Sequence, residues 1–264
     1  MRPDRERKAA DFRDLHLGEP FLIPNPWDAG SAKVLAGLGF RALATTSSGF
    51  AFTLGRADGS VGLDEVAAHV RALDEATELP VSVDLENGYG PGPEHVALAI
   101  TRVAEAGAVG GSIEDYDPGG RIYDRDHAAE RVAVAAEAAA RLDFPFTLTA
   151  RAENHVRGNP NLEDTIDRLQ AYARAGADVL YAPGLRSGEE IAAVCKQVDK
   201  PVNVLARPGL AVSEIVEAGA QRISVGGGLA WAAVNGLVAA EELRDRGSAG
   251  SLAAPAGLSR WLDG

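Results

Sequence analysis

Two textures alternate along the chain. Short runs dominated by Val, Ile, Leu and Ala predict strands buried on both faces. Longer stretches carry Ala, Leu and Val at i, i+3, i+4 among Glu, Asp and Arg, and predict amphipathic helices. Four strand candidates open with proline: Pro20-Phe-Leu-Ile23, Pro80-Val-Ser-Val83, Pro145-Phe-Thr-Leu148 and Pro201-Val-Asn-Val204. A first residue need not donate to the ladder, so proline is tolerated there. Four others follow a small-residue turn containing glycine, at Gly39, Gly107, Gly176 and Gly219. The two kinds alternate strictly. Helices are predicted over Leu63 to Ala76, Glu94 to Ala106, Asp124 to Leu142, Leu162 to Ala175 and Glu189 to Val198. Glycine after a helix supplies the left-handed cap that turns the chain back.

Eight β-α units predict a (β/α)8 TIM barrel. A doubly wound sheet is the alternative, but Pro24-Asn-Pro-Trp-Asp28 after the first strand is no glycine-rich phosphate fingerprint. Residues 1–247 read as a single barrel domain and 248–264 as a C-terminal tail. The tail is a linker followed by a short amphipathic segment, Leu258 to Leu262, that packs on its own barrel or on a neighbour.

Composition narrows the classes. The 264 residues are 46% hydrophobic and 24% charged, an ordinary globular balance. No apolar run reaches the ~18 residues of a membrane span. The charged N-terminus has no apolar run after it, so a cytoplasmic protein is expected. The single cysteine, Cys195, excludes an internal disulfide and a cysteine-rich zinc site. A net charge of −12 disfavours nucleic acid and anionic membrane as partners. Lysine occurs only at positions 8, 33, 196 and 200, none at a barrel-facing strand end, which argues against a Schiff-base aldolase.

In such a barrel the chemistry sits at the C-terminal strand ends. Those ends carry Asn25 and Asp28, then Thr46, Ser48 and Gly49, then Asp84 and Glu86, then Glu114, Arg151 and Asn203. Asp84 and Glu86 alternate onto one face, beside Glu114 on the next strand. Two readings of this cluster stay open: a divalent cation held by carboxylates, or a carboxylate cluster neutralised by Arg151. Ser47-Ser48-Gly49 reads as an ordinary loop whose amides could also hold an oxyanion. Gly226-Gly227-Gly228 is equally a tight turn or a phosphate cradle. Cys195 falls within a helix and reads as a core thiol. His69, His95 and His127 read as surface or capping residues, and His155 as a candidate acid or base.

The segments Asn25-Pro-Trp-Asp-Ala-Gly-Ser-Ala32, Thr46-Ser-Ser-Gly49, Asp84-Leu-Glu-Asn-Gly-Tyr-Gly90, Gly111-Ser-Ile-Glu-Asp115 and Ala150-Arg-Ala-Glu153, with Leu54-Gly55 to Asp58, resemble the isocitrate lyase/phosphoenolpyruvate mutase superfamily. The resemblance spans nearly the whole chain. It implies an (α/β)8 barrel, often with a swapped last helix, in a homo-oligomer that is a dimer or a dimer of dimers, a homotetramer. It also implies a Mg2+ site, or Mn2+, for a small-molecule 2-oxo acid. Asp84 then looks like the carboxylate nearest the ion, with Glu86 and Glu114 holding its waters. Ser48 and Gly49 look like donors to the substrate carboxylate, with Thr46 and Asn203 as further substrate-binding candidates. Arg151 looks like the catalytic cation facing the substrate oxygens, and Asp58 like an active-site acid.

Departures narrow the reaction. The isocitrate and methylisocitrate lyases carry a Lys-x-Cys-Gly loop after strand four. Here that stretch, Asp115 to Asp124, has neither Cys nor Lys, and Arg121 is its only cation. The resemblance therefore points to a carbon-carbon lyase for a 2-oxo acid such as oxaloacetate, working through a pyruvate enolate. CO2 leaves without a general acid, and Tyr116, Tyr181 or His155 could reprotonate the enolate. Alternatives are P–C or C–O chemistry on a phosphonopyruvate-type substrate, with Arg121 or Arg207 on the phosphonate, and a 2-oxo acid binding protein with little turnover.

Overall fold

The computed structural model describes residues 5–247 and 258–262. Eight parallel strands form one sheet: β1 (Phe21–Ile23), β2 (Leu43–Ala44), β3 (Val81–Asp84), β4 (Gly110–Glu114), β5 (Thr147–Arg151), β6 (Val179–Tyr181), β7 (Val202–Leu205) and β8 (Arg222–Ser224). Neighbours run β1-β8-β7-β6-β5-β4-β3-β2. The ring is closed between β2 and β1 by the Ala44 N–H donating to the Pro24 carbonyl at 3.1 Å. Asn25 reinforces the seam, its Nδ2 donating to the Thr45 carbonyl at 2.9 Å. The architecture is a (β/α)8 barrel.

The helices are α1 (Arg5–Leu15), α2 (Ala29–Gly37), α3 (Ser47–Thr53), α4 (Leu63–Ala76), α5 (Pro93–Ala106), α6 (Arg125–Ala140), α7 (Leu162–Arg174), α8 (Gly188–Gln197), α9 (Val212–Glu217), α10 (Gly228–Arg246) and α11 (Leu258–Leu262). The five helices expected from periodicity appear within two residues of their expected ends. Gly39, Gly107, Gly176 and Gly219 all have positive φ, as left-handed turns between helix and strand require. α5 shows the packing logic. Pro93 starts it, Val96, Ile100 and Val103 are fully buried, and Gly107 ends it. Each such aliphatic side chain stabilises the fold by about 1.5–3 kcal/mol.

α1, α2 and α3 escape the periodicity reading. α1 is mostly charged, yet it buries Lys8, Ala9 and Phe12. Lys8 is held by Asp74 at 2.7 Å and by the Thr77 carbonyl at 3.0 Å. α1 plugs the N-terminal end of the barrel. Phe12 fills the space that a side chain on Gly110 would need, and His16 packs edge-on between Phe12 and Phe21. The loop expected at Ser47-Ser48-Gly49 is instead the first turn of α3, capped by Thr46. The correction has a physical reason: a β-region Thr at the N-cap accepts from the Gly49 N–H.

The chain after β4 folds into a small antiparallel ribbon, Tyr116–Asp117 against Arg121–Ile122. α11 docks on α2, where Trp261 occupies the place of a side chain at Gly37 and Lys33 donates to the Leu262 carbonyl at 2.8 Å. The linker expected after Gly247 lies outside the described residues.

Candidate active site

The C-terminal ends of β3, β4 and β5 bring carboxylates and arginines together. Asp84 ends β3, and its N–H donates to Thr45 Oγ1 at 2.8 Å. The chain then turns sharply, and Glu86 (φ 48°) and Tyr89 (φ 63°) take left-handed backbone conformations. Such residues cost on the order of 1–3 kcal/mol each and persist only where surroundings over-determine them. Arg131 supplies that constraint from α6, donating to the carbonyls of Asn87, Gly90 and Pro91.

Arg151 sits at the centre of the cluster. Its guanidinium meets Asp84 Oδ1 at 3.1 Å, Glu114 Oε2 at 3.0 Å and Glu153 Oε1 at 2.7 Å. It also lies over the Tyr181 ring, 5.2 Å from the centroid. Arg157 makes a second contact with Glu153 at 3.1 Å, and reaches Glu114 at 3.8 Å. It stacks on Tyr116 of the ribbon, 3.8 Å from the ring centroid. Four carboxylates, Asp84, Glu86, Glu114 and Glu153, thus share two arginines, and Asp58 adds its charge beside Glu86. The excess negative charge shows in the titration. Burial first, then Asp84 and Asp58, push the Glu86 carboxyl up to about 7. Burial likewise pushes Glu114 upward, against the pull of Arg151.

A cavity of about 320 Å3 opens beside this cluster and runs down into the barrel. Thr46, Ser48, Asp58, Asp84, Arg151 and Arg157 line its upper part. Thr46 Oγ1 is 3.2 Å from Ser48 Oγ. The Gly49 N–H points to Thr46 Oγ1 at 3.3 Å and Gly49 itself is outside the lining, so its amide has an internal partner. Asn203 lines the cavity with both ends of its amide engaged, by Ser224 at 3.0 Å and Arg222 at 2.8 Å. Glu86 and Glu114 flank Asp84 outside the lining.

Among the described residues, no three His, Cys, Asp or Glu side chains form a ready metal cage. Asp84 and Glu114 face Arg151 instead of a common point. The donor set nonetheless fits Mg2+, which binds through one or two carboxylates and keeps its waters. The oxygens are hard, no thiolate or imidazole joins them, and the cluster has more negative charge than its arginines neutralise. Asp84 lies on the cavity wall, and Glu86 and Glu114 lie outside the lining.

Some expectations fail. His155 faces away from the cavity, its Nδ1 2.9 Å from Thr165 Oγ1, because the turn after β5 packs on α7. His69 is buried, not on the surface, and stacks on Phe50 with ring centroids 3.9 Å apart. Cys195 is half-buried instead of core, and burial pushes its thiol up to about 11. Arg121 pairs with Asp117 at 3.5 Å and is exposed, away from the cavity. Glu153 and Arg157 gain importance beyond their sequence reading; their i, i+4 spacing was the available signal.

The phosphoenolpyruvate phosphomutase family profile matches residues 12–243. A crystal structure from Burkholderia cenocepacia J2315, provisionally described as a lyase/mutase, is 49% identical with a TM-score of 0.95, covering 98% of this chain and 97% of that one. A 2-methylisocitrate lyase of Halalkalibacterium halodurans is 31% identical over 76% of this chain and 68% of its own. An oxaloacetate decarboxylase of Rhodopseudomonas palustris is 30% identical over 62% of this chain and 58% of its own. A phosphonopyruvate hydrolase crystallised with oxalate and Mg2+ shares the fold at 21% identity, with a TM-score of 0.84 over 97% of this chain and 95% of that one. The chain belongs to the phosphoenolpyruvate phosphomutase family, within the isocitrate lyase/phosphoenolpyruvate mutase superfamily.

Proposed function

We propose that the protein is a Mg2+-dependent carbon-carbon lyase for a small 2-oxo acid such as oxaloacetate. The observation that carries this reading is the meeting of Asp84, Glu114 and Glu153 on Arg151 at the wall of the cavity. The ribbon after β4 supplies neither a thiol nor an amine, which suits a cleavage whose departing group needs no proton. Arg121 is exposed and paired with Asp117, and neither Arg121 nor Arg207 is among the residues lining the cavity, which supports C–C over P–C chemistry.

Asp84, with Glu86 and Glu114 behind it, would hold Mg2+, which when bound supplies Lewis-acid polarisation of a 2-oxo group. Arg151 has one N–H left on Nη1 beyond its contacts with Asp84, Glu114 and Glu153, and with its fixed positive charge this would face negative charge developing on the oxo oxygen. Thr46 and Ser48, after the neighbouring strand β2, offer hydroxyls to a substrate carboxylate in the same cavity. Tyr181 is half-buried beside Arg151, and desolvation pushes its hydroxyl up to about 12, so it stays protonated and can donate a hydrogen bond.

The test is pyruvate release from oxaloacetate, measured with Mg2+ for the wild type, for Asp84→Ala and for a protein-free blank. Turnover above the blank that vanishes in the variant is expected. Equal rates in all three would end the oxaloacetate reading.

We further read the chain as a cytoplasmic homo-oligomer, a dimer or dimer of dimers. No described helix is long and apolar enough to cross a membrane. α10 exposes Trp231, Leu237, Val238 and Leu243 around its circumference, apolar surface that supports a partner copy. Sedimentation equilibrium tests it, and a monomer at micromolar concentration would refute it.

A further inference from the structure

TIM barrels fill their interior with bulky aliphatic layers. Here several inward positions below the rim are small or polar, beside Ile23 and Leu205. Ser82, Ser112, Asn203, Ser224 and Arg222 all line the lower part of the cavity that begins at Asp84 and Arg151. The strand register explains the grouping. Arg222 pairs with Asn203, which pairs with Tyr181, which pairs with Arg151, so all four share the inner face of adjacent strands.

Arg222 is the unusual member. It is 5% exposed, and its three nitrogens meet neutral acceptors. Nε donates to Asn203 Oδ1 at 2.8 Å, Nη2 to Thr149 Oγ1 at 2.9 Å and Nη1 to His16 Nε2 at 3.2 Å. His16 Nδ1 lies 2.8 Å from the Phe12 carbonyl and must donate to it, which leaves Nε2 bare to accept from Arg222. Burial and the neighbouring guanidinium hold the His16 pKa down to about 3, so the ring is neutral. Tyr181 is a second titratable neighbour of Arg222, and it too stays neutral. No carboxylate pairs with Arg222 among the described residues. A guanidinium has five N–H groups. Three are engaged and two remain at the foot of the cavity.

A buried cation with only neutral partners is costly, and an anion brought beside it relieves that cost. We infer that Arg222, with Ser224 beside it, is a second anion subsite at the foot of the cavity, and that it binds a carboxylate remote from the metal-chelating end of the substrate. The inference rests on the proposed 2-oxo acid reading for the rim alone. It extends that reading to the substrate class: a 2-oxo acid with an additional carboxylate. The cavity is then polarised along its length, anionic at the rim where a cation is needed and cationic at the foot. Arg222 then contributes to substrate affinity: for oxaloacetate the carboxylate it holds is the one released as CO2, which loses its charge as the C–C bond breaks, so the contact lowers Kd and does not raise kcat.

The experiment is calorimetric titration of the Mg2+-loaded full chain with pyruvate, oxaloacetate, 2-oxoglutarate and malonate. At least one dicarboxylate is expected to bind the wild type roughly ten- to a hundredfold more tightly than pyruvate, as hydrogen bonds to a charged group imply. Arg222→Gln should erase that advantage and leave pyruvate affinity unchanged, while Arg222→Lys retains part of it. Equal affinities in the wild type, which need no variant, overturn the subsite. So does a dicarboxylate preference that persists in a folded Arg222→Gln. Malonate binding without any 2-oxo acid binding refutes the rim reading and keeps the subsite; no binding of any probe refutes both.

Discussion

Arg151 donates to Asp84 at 3.1 Å, so the carboxylate placed nearest the metal position is held by the cation that would face the substrate. The contact sets a competition. A divalent ion at Asp84 and the guanidinium draw on the same carboxylate, and the ion draws more strongly because its charge is larger.

Mg2+ should accordingly stabilise the fold through Asp84. A ligand at a hundredfold excess over Kd stabilises by about 2.7 kcal/mol. The melting temperature of the wild type is expected to rise with Mg2+, and that of Asp84→Ala to stay flat. A rise of the same size in both would place the ion elsewhere.

Arg151→Met leaves Glu114 and Glu153 buried without their main counter-ion. Breaking a buried pair from one side costs about 3–5 kcal/mol. The urea midpoint should fall accordingly, and Mg2+ should restore part of the loss. Turnover should drop by roughly a hundredfold or more, the scale for removal of an oxyanion donor. Unchanged stability would show that the carboxylates rely on other partners.

His16 and His69 make stability pH-dependent below neutrality. Burial holds their native pKa at about 3 and about 4, against 6.5 when free. The unfolded chain therefore takes up protons that the native state refuses. The stabilisation is complete above pH 6.5 and is lost as pH falls toward the native values. Between pH 7 and 4.5 each histidine should cost about 2–3 kcal/mol. His16→Gln should flatten the slope of unfolding free energy against pH in that window. An unaltered slope would mean that His16 protonates in place.

Gly37→Ala should undock α11. A methyl there collides with Trp261, although alanine favours the α2 helix by about 1 kcal/mol over glycine. Tryptophan emission should shift to the red with little change in the unfolding midpoint. Identical emission would show that Trp261 moves aside within the contact.

The barrel was legible because its punctuation is chemical. Proline opens one set of strands, and glycines such as Gly107 and Gly176 end helices with φ of 117° and 106°. α1 was not legible, since its charged residues hide a narrow buried stripe of Lys8 and Phe12. α3 looked like a loop because seven residues with Ser and Gly carry little helical pattern. The rim residues Asp84, Glu114 and Arg151 could be found because strand ends index them. Arg157 lies in the turn beyond β5; its spacing from Glu153 hints at their pairing, but only folding shows that it reaches Tyr116 and Glu114. Arg222 was hidden by its place in an apolar run. A strand position is assigned to the inner or the outer face by register, and register is tertiary information.

The seal formed by Phe12 and His16 across the base of the barrel makes the cavity a cup and not a pipe. Whatever enters must leave by the same mouth. When one molecule is split into two inside such a vessel, the upper fragment departs first and the lower one waits beneath it. Release is then ordered by depth, and traffic at the mouth governs both arrival and departure.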